Sequence, residues 1–460
     1  MANLKYVQKN GWEKVSKNDA AAVFPFCEQY RVFLDKGKTE RECVHETVIL
    51  AEQNGFKPFV QAMPLKAGDK VYAINRDKGI LLAIIGKQPL EQGVRIIGSH
   101  IDAPRIDLKQ NPLYEADDLA LFKTHYYGGI KKYQWMTVPL AIHGVVVKAD
   151  GSMLEVVIGE ADSDPVFCIT DLLPHLAQEQ MQKKMSEVFT GESLNLLVGS
   201  MPEDTEKEKV KEKVLTLLNE KYGMCEEDFV SAELELVPAQ KAKDVGFDRS
   251  MLGGYGHDDR VCSYAALMAI LALEGAPNQT AICLLVDKEE VGSMGNTGMQ
   301  SAFMQNFIAE ISNATNGHYN DLMLRRCLAA SKCLSADVNA AVDSTFDSVF
   351  EKRNCSFVNR GIVLTKFTGS RGKSGGSDAN AEFVGEIRNL LNKHDVLWQT
   401  AELGKVDMGG GGTIAQYVAN LGVDVLDCGV ALLSMHAPFE VAGKLDIYMS
   451  YKAFKVFYEA

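Results

Sequence analysis

The ten cysteines, scattered from Cys27 to Cys428, include no CxxC pair. That absence argues against a disulfide framework and points to free, mostly buried thiols in a reducing compartment. Basic charge is also short: 48 Lys and Arg stand against 61 Asp and Glu, a net charge of −13. Nucleic acid needs a basic face, so that class of partner is excluded. The charge says nothing about substrate, because a net value does not locate a pocket. No apolar run reaches the length of a membrane span, and Met1–Tyr6 contains no apolar signal core. A cytoplasmic location without a membrane partner is therefore expected. Internal repeats and low-complexity segments are lacking too. What remains is a chain of 460 residues, 46% apolar and 24% charged. These values are ordinary for a globular protein of two or three domains with a large core.

The first 60 residues read as helical, with Thr39 capping a helix that ends near Gly55. From Lys70 the period changes. Val71–Ile74 and Ile80–Ile85 flank a short loop ending in Gly79, the pattern of a hairpin. Val94–Ile97 is a further strand that runs into Gly98–Pro104. Residues 108–248 have another texture: strands at Leu140–Val147 and Met153–Ile158 around Asp150–Gly151, then a charge-dense solvated stretch from Glu203 to Lys213. Beyond Gly253 the first pattern resumes, with a helix over Val261–Leu273, strands at Ala281–Val286 and Arg360–Phe367, and a helix over Asp378–Leu391 that Asp378 could cap. The expected fold is α/β, a mixed sheet flanked by helices. Residues 1–107 and 249–460 form one catalytic domain, and the mainly β block 108–248 is inserted between them.

Four strand-like runs end in a metal-ligand type: His100, Glu289–Glu290, Asp337 and His436. Asp258–Asp259 opens a helix. Singly, each is what a structural histidine or a capping aspartate looks like. Together they are two imidazoles and several carboxylates at equivalent topological places, and ligands of α/β sheets bind beyond the carboxyl ends of the strands. Paired acids after a buried strand are costly without a compensating cation. The donor set suits zinc, with cobalt and manganese as alternatives. His100 and Asp102 lie two apart in extended chain and point the same way, so one can bind metal while the other orients it.

The segments GSHIDAP (98–104), HDDRVCSYAAL (257–267), DKEEVGS (287–293), SAD (335–337) and LSMHAP (433–438) resemble, in order, those of the aspartyl aminopeptidase and yeast aminopeptidase I family. These are dinuclear zinc exopeptidases of clan MH, and this chain resembles a bacterial-type member. The resemblance implies a zinc-exopeptidase-like fold and two divalent ions per subunit. One would be held by His100, Asp258 and Asp337, the other by Asp258, Glu290 and His436, with Asp258 bridging. It implies Glu289 as general base and Asp102 as the partner fixing the tautomer of His100. It further implies hydrolytic release of amino-terminal residues from peptides, and dimerisation through the insertion with assembly into a dodecamer. PHLA (174–177) also matches, which would bring His175 to a neighbouring subunit's substrate.

Three departures stand out. The family commonly has Asp-Asn-Leu where this chain has Asp258-Asp259-Arg260. The run Gly409–Thr413 is no phosphate cradle, since no Lys-Ser/Thr follows; it reads as backbone, centred on Gly411, passing close to substrate. The family's Asn-rich loop is replaced by Thr368–Ser377, so preference is expected to be acidic or broad, with Lys366 the candidate selector. Two other readings compete: a carboxypeptidase or deacylase using the same centre, and a non-enzymatic shell-forming oligomer.

Overall fold

The computed structural model describes residues 4, 6, 8–61 and 63–460. The amino-terminal stretch expected to lack a signal core therefore lies partly outside the described residues. The chain divides into two compact units. One comprises Met1–Asp102, Ala242–Met435 and Phe439–Ala460; the other comprises Ala103–Lys241 with His436–Pro438.

The first unit is built on a nine-stranded sheet. At its centre four strands run parallel and side by side: Ala281–Val286, Arg95–His100, Lys332–Ala336 and Asp424–Gly429. Every residue of Ala281–Val286 is buried. Such a strand needs both faces covered, and its side chains alternate between two cores. Ala281, Cys283 and Leu285 join Ile97, Leu334 and Leu426 on one face. Ile282, Leu284 and Val286 join Ile96, Cys333 and Val425 on the other. Helices His257–Leu271 and Lys444–Glu459 contribute to the first core, Phe303–Asn316 and Asp321–Ala330 to the second. The result is three layers with no wet sheet face at the centre.

Local sequence signals account for the elements. Thr39 and Glu42 form a capping box at the start of Glu40–Gln53, which satisfies two otherwise orphaned amides. The expected hairpin pairs Lys70–Asn75 with Gly79–Ile84. Its turn places Arg76 and Asp77 at φ 54° and 55°, the sign of twist that matches flanking strands. The helix expected from Asp378 begins later, at Ala381, with Asn380 in the cap position. Asp378 is instead drawn into an ion pair with Lys373 at 2.8 Å.

The second unit centres on a seven-stranded sheet whose strands are paired antiparallel. Leu140–Val147 pairs with Met153–Ile158 around Gly151 at φ 81°. The helix Lys209–Tyr222 begins within the charge-dense stretch. Its first amides, those of Val210 and Lys211, donate to the Glu115 carboxylate at 2.8 and 2.9 Å, an anion at the positive end of a helix.

No helix among the described residues is long and apolar enough to cross a membrane. All ten cysteines are free, and eight are buried.

Candidate metal centre

The parallel strands deliver their carboxyl ends to one edge. Val286 lies in register with His100, and Ser335 with Gly98, so His100, the turn after Val286 and Asp337 emerge together. The turn is tight. Lys288 at φ 66° and Gly292 at φ 94° bracket Glu289–Val291, which sets the two acids side by side. Asp337 is fixed from the next strand: a Cβ on Gly429 would collide with the Asp337 carbonyl, so only glycine allows that approach. Asp258 and Asp259 enter at the start of His257–Leu271, where both depart from helical backbone and share a cis peptide bond. The regular helix begins at Arg260.

Two ligand groups result. His100, Asp259 and Asp337 offer donor atoms within 4.8 Å of one another, as do His100, Asp258 and Glu290. His100 is central to both. Its Nε2 is 3.2 Å from Asp258 Oδ1 and 3.9 Å from Glu289 Oε2. Its Nδ1 is 3.0 Å from the Asp102 carbonyl oxygen and 3.2 Å from Asp102 Oδ1. A carbonyl has no proton to give, so Nδ1 carries a hydrogen, and Nε2 is the nitrogen left to face an ion. Asp102 also accepts the amides of Glu289 at 3.1 Å and Glu290 at 3.2 Å. One buried carboxylate thus ties the histidine strand to the glutamate turn.

The electrostatics call for a cation. Burial pushes Asp259 well above the usual carboxylate range, opposed by His100 and reinforced by Asp258. Burial, with the Asp259 and Glu289 carboxylates, does the same to Asp337. Burial favours neutral His100, but the surrounding carboxylates of Asp102, Asp258 and Glu289 outweigh it and raise its pKa. His100 Nε2 and Asp259 Oδ1 are buried without a hydrogen-bond partner among the described residues. Buried acceptors of this kind, one nitrogen among several carboxylate oxygens, fit a divalent ion of the zinc type.

Of the other residues singled out in the sequence, His436 follows the strand Ala431–Leu433 on a loop with Ser434 and itself at φ 57° and 65°. Its Nδ1 donates to the Gly129 carbonyl at 2.9 Å. His175 is exposed. Lys366 is exposed, its ammonium 5.0 Å from the Phe367 ring centre. It follows Ile362–Thr365, which runs antiparallel to Asp424–Gly429, so that strand heads away from the edge carrying His100. Gly411 is exposed and pairs with Gly369 in a two-stranded ribbon. A Cβ there would make only an ordinary 3.4 Å contact, whereas one on Gly410, at φ 111°, would strike the Gly369 carbonyl. Asp259, part of the Asp258-Asp259-Arg260 departure and not among the expected ligands, shares a ligand group with His100 and Asp337. The adjacent acid pair signalled it, but two neighbouring letters do not say which carboxylate turns toward which partner.

Residues 33–458 match the family described as aminopeptidase I zinc metalloprotease (M18). A probable M18 family aminopeptidase 1 of Clostridium acetobutylicum is 54% identical, covering 98% of this chain and 97% of that one. The corresponding protein of Thermotoga maritima is 45% identical, covering 98% of this chain. A crystal structure of an M18 aminopeptidase from Thermotoga maritima superposes with a TM-score of 0.94 at 44% identity, covering 99% of this chain and all of that one. The structure of aminopeptidase I from Clostridium acetobutylicum gives 0.92 at 52%, with the same coverage. The chain belongs to the M18 family of zinc metalloproteases and is a metal-dependent aminopeptidase.

Proposed function

We propose that the centre holds two divalent ions and that Glu289 carries the proton in hydrolysis of the first peptide bond. The observation behind this is a division of labour across one turn. Glu290 shares a ligand group with His100 and Asp258, while Glu289 stands outside both groups, its carboxylate 3.9 Å from His100 Nε2. One ion is assigned to His100, Asp258 and Asp337. The other is assigned to Asp258, Glu290 and His436, so that Asp258 bridges, with Asp259 a further carboxylate beside His100 and Asp337. Zinc bound there would supply Lewis acidity and bring the pKa of water near neutrality. Glu289 accepts the proton of the attacking water and returns it to the leaving nitrogen as the C–N bond breaks, leaving the proton count unchanged. Asp102 keeps Glu289 in place through its amide and keeps His100 in the binding tautomer. The site's carboxylates attract a free α-ammonium group, which restricts cleavage to amino-terminal ends.

Glu289→Gln tests the assignment: zinc content should be unchanged and turnover nearly abolished. Retained turnover would remove Glu289 as base. A peptide acetylated at its amino end should stay intact; its cleavage would favour the carboxypeptidase or deacylase reading.

The direction of Ile362–Thr365 and the exposure of Lys366 favour broad over acidic preference. Rates on Asp-, Glu-, Leu- and Lys-anilides before and after Lys366→Ala decide it: an unchanged ranking dismisses Lys366, and a lost preference for Asp and Glu restores the acidic reading. Gly411 stays a proposed substrate-side backbone position. The block 108–248 is proposed as a dimerisation domain, with His175 reaching a neighbouring subunit's substrate. A yeast relative, mApe1, is a dodecamer, and the same assembly is proposed here, in the cytoplasm. Mass measurement in solution checks it.

A further inference from the structure

We infer that Gly129 is a positioning residue for His436, an inference that rests on reading His436 as a metal ligand. Two observations carry it. First, the Gly129 carbonyl oxygen lies 2.9 Å from His436 Nδ1. A carbonyl only accepts, so the hydrogen is on Nδ1 and the lone pair on Nε2. Second, the Gly129 backbone passes so close to the ring that a Cβ there would sit 3.2 Å from Nδ1 and 3.5 Å from Cε1. A side chain there would press on the imidazole and displace it from this acceptor by a few tenths of an ångström.

The local chain explains why this carbonyl points outward. Strand Leu119–Tyr127 ends in Gly128 at φ 74°. The Ile130 amide folds back onto the Gly128 carbonyl at 3.2 Å, leaving the Gly129 carbonyl unused by the turn. Trp135, fully buried a few residues on, anchors the segment. The arrangement repeats that of His100, whose Nδ1 meets the Asp102 carbonyl at 3.0 Å. Both proposed imidazole ligands are therefore set by main-chain acceptors. Losing such a partner typically weakens metal binding about 10- to 100-fold.

The test measures zinc stoichiometry and affinity by chelator competition in Gly129→Ala, His436→Ala and the double variant, with thermal melts as a control for folding. Gly129→Ala should weaken one ion about 10- to 100-fold and leave the other unchanged. In the His436→Ala background it should change nothing further, because its whole effect passes through that ring. Unaltered zinc affinity in Gly129→Ala, or an equal additional loss in the double variant, would overturn the inference. If His436→Ala keeps both ions, the reading of His436 as ligand fails and this inference falls with it. Should Gly129→Ala not fold, nitrogen NMR of the metal-free parent with labelled histidine still decides. The His436 signal, identified by its disappearance in His436→Ala, should report hydrogen on Nδ1; hydrogen on Nε2 refutes the claim.

Discussion

The two large sheets treat charge in opposite ways. In the parallel centre of the first unit both faces are covered, and Ala281–Val286 and Arg95–His100 are buried throughout. In the antiparallel sheet of the second unit, Met153–Ile158 alternates with solvent, leaving Met153 and Val157 62% and 47% exposed. An acid such as Glu155, on the exposed phase of that strand, meets water and reports nothing. An acid at the end of a doubly covered strand meets other acids, as Asp337 meets Asp259 and His100. The lesson is that a carboxylate's position relative to the sheet layers, more than its presence, marks it as a ligand.

The sharpest way to break this comparison is at the acid turn. Glu289→Gln should lower kcat by about 10²- to 10⁴-fold, the usual worth of a positioned acid–base group, with zinc retained. Glu155→Gln in the second unit should leave kcat unchanged. Removing zinc with a chelator should abolish activity and lower the melting temperature, since the ion that balances the buried acids binds only the folded chain. Zinc add-back should restore both, and a metal-free protein as stable as the parent would contradict the electrostatic argument.

Packing gives the next effect in size. Leu284→Ala, in a fully buried strand, should cost about 2–5 kcal/mol, measured by denaturant unfolding. Val157→Ala, on the half-wet sheet, should stay within about 0.5 kcal/mol.

The remaining effect concerns pH. Asp446 is fully buried in Lys444–Glu459, where burial pushes its carboxyl up to about 7 while the Asn359 and Gly361 amides pull it down. Its folded pKa exceeds its unfolded one, so between about pH 4 and 7 the folded chain holds a proton that the unfolded chain has lost. Stability from this group is full at low pH and declines as pH rises, by up to about 1.4 kcal/mol per pH unit. Asp446→Asn should remove that slope, as read from unfolding midpoints across the window.

Much of this was legible in the chain because it is written in side chains and short-range periods. The hairpin at 70–84, the capped helix 40–53 and the buried strand 281–286 follow from turn residues, the Thr39–Glu42 pair and an apolar run. That His100, Glu290 and Asp337 come to one edge is readable from strand ends, since parallel strands expose a common edge, whereas Asp258 and Asp259 arrive from the start of a helix. The loops were less legible. The helix starts at Ala381 with Asn380 in the cap position, while Asp378 pairs with Lys373, an arrangement set by contacts in space. The course of Lys366 depends on the antiparallel direction of Ile362–Thr365, which pattern alone does not give.

The sequence by itself determined which residues can bind a divalent ion, the order in which strands deliver them, and the family to which the chain is similar. Only the tertiary structure decided that Asp259 turns toward Asp337, and that the carbonyls of Asp102 and Gly129 hold the two imidazoles. The physical reason is that every residue carries the same carbonyl. Which one lies within reach of a given ring is set by backbone torsions and packing, and no letter of the sequence records it.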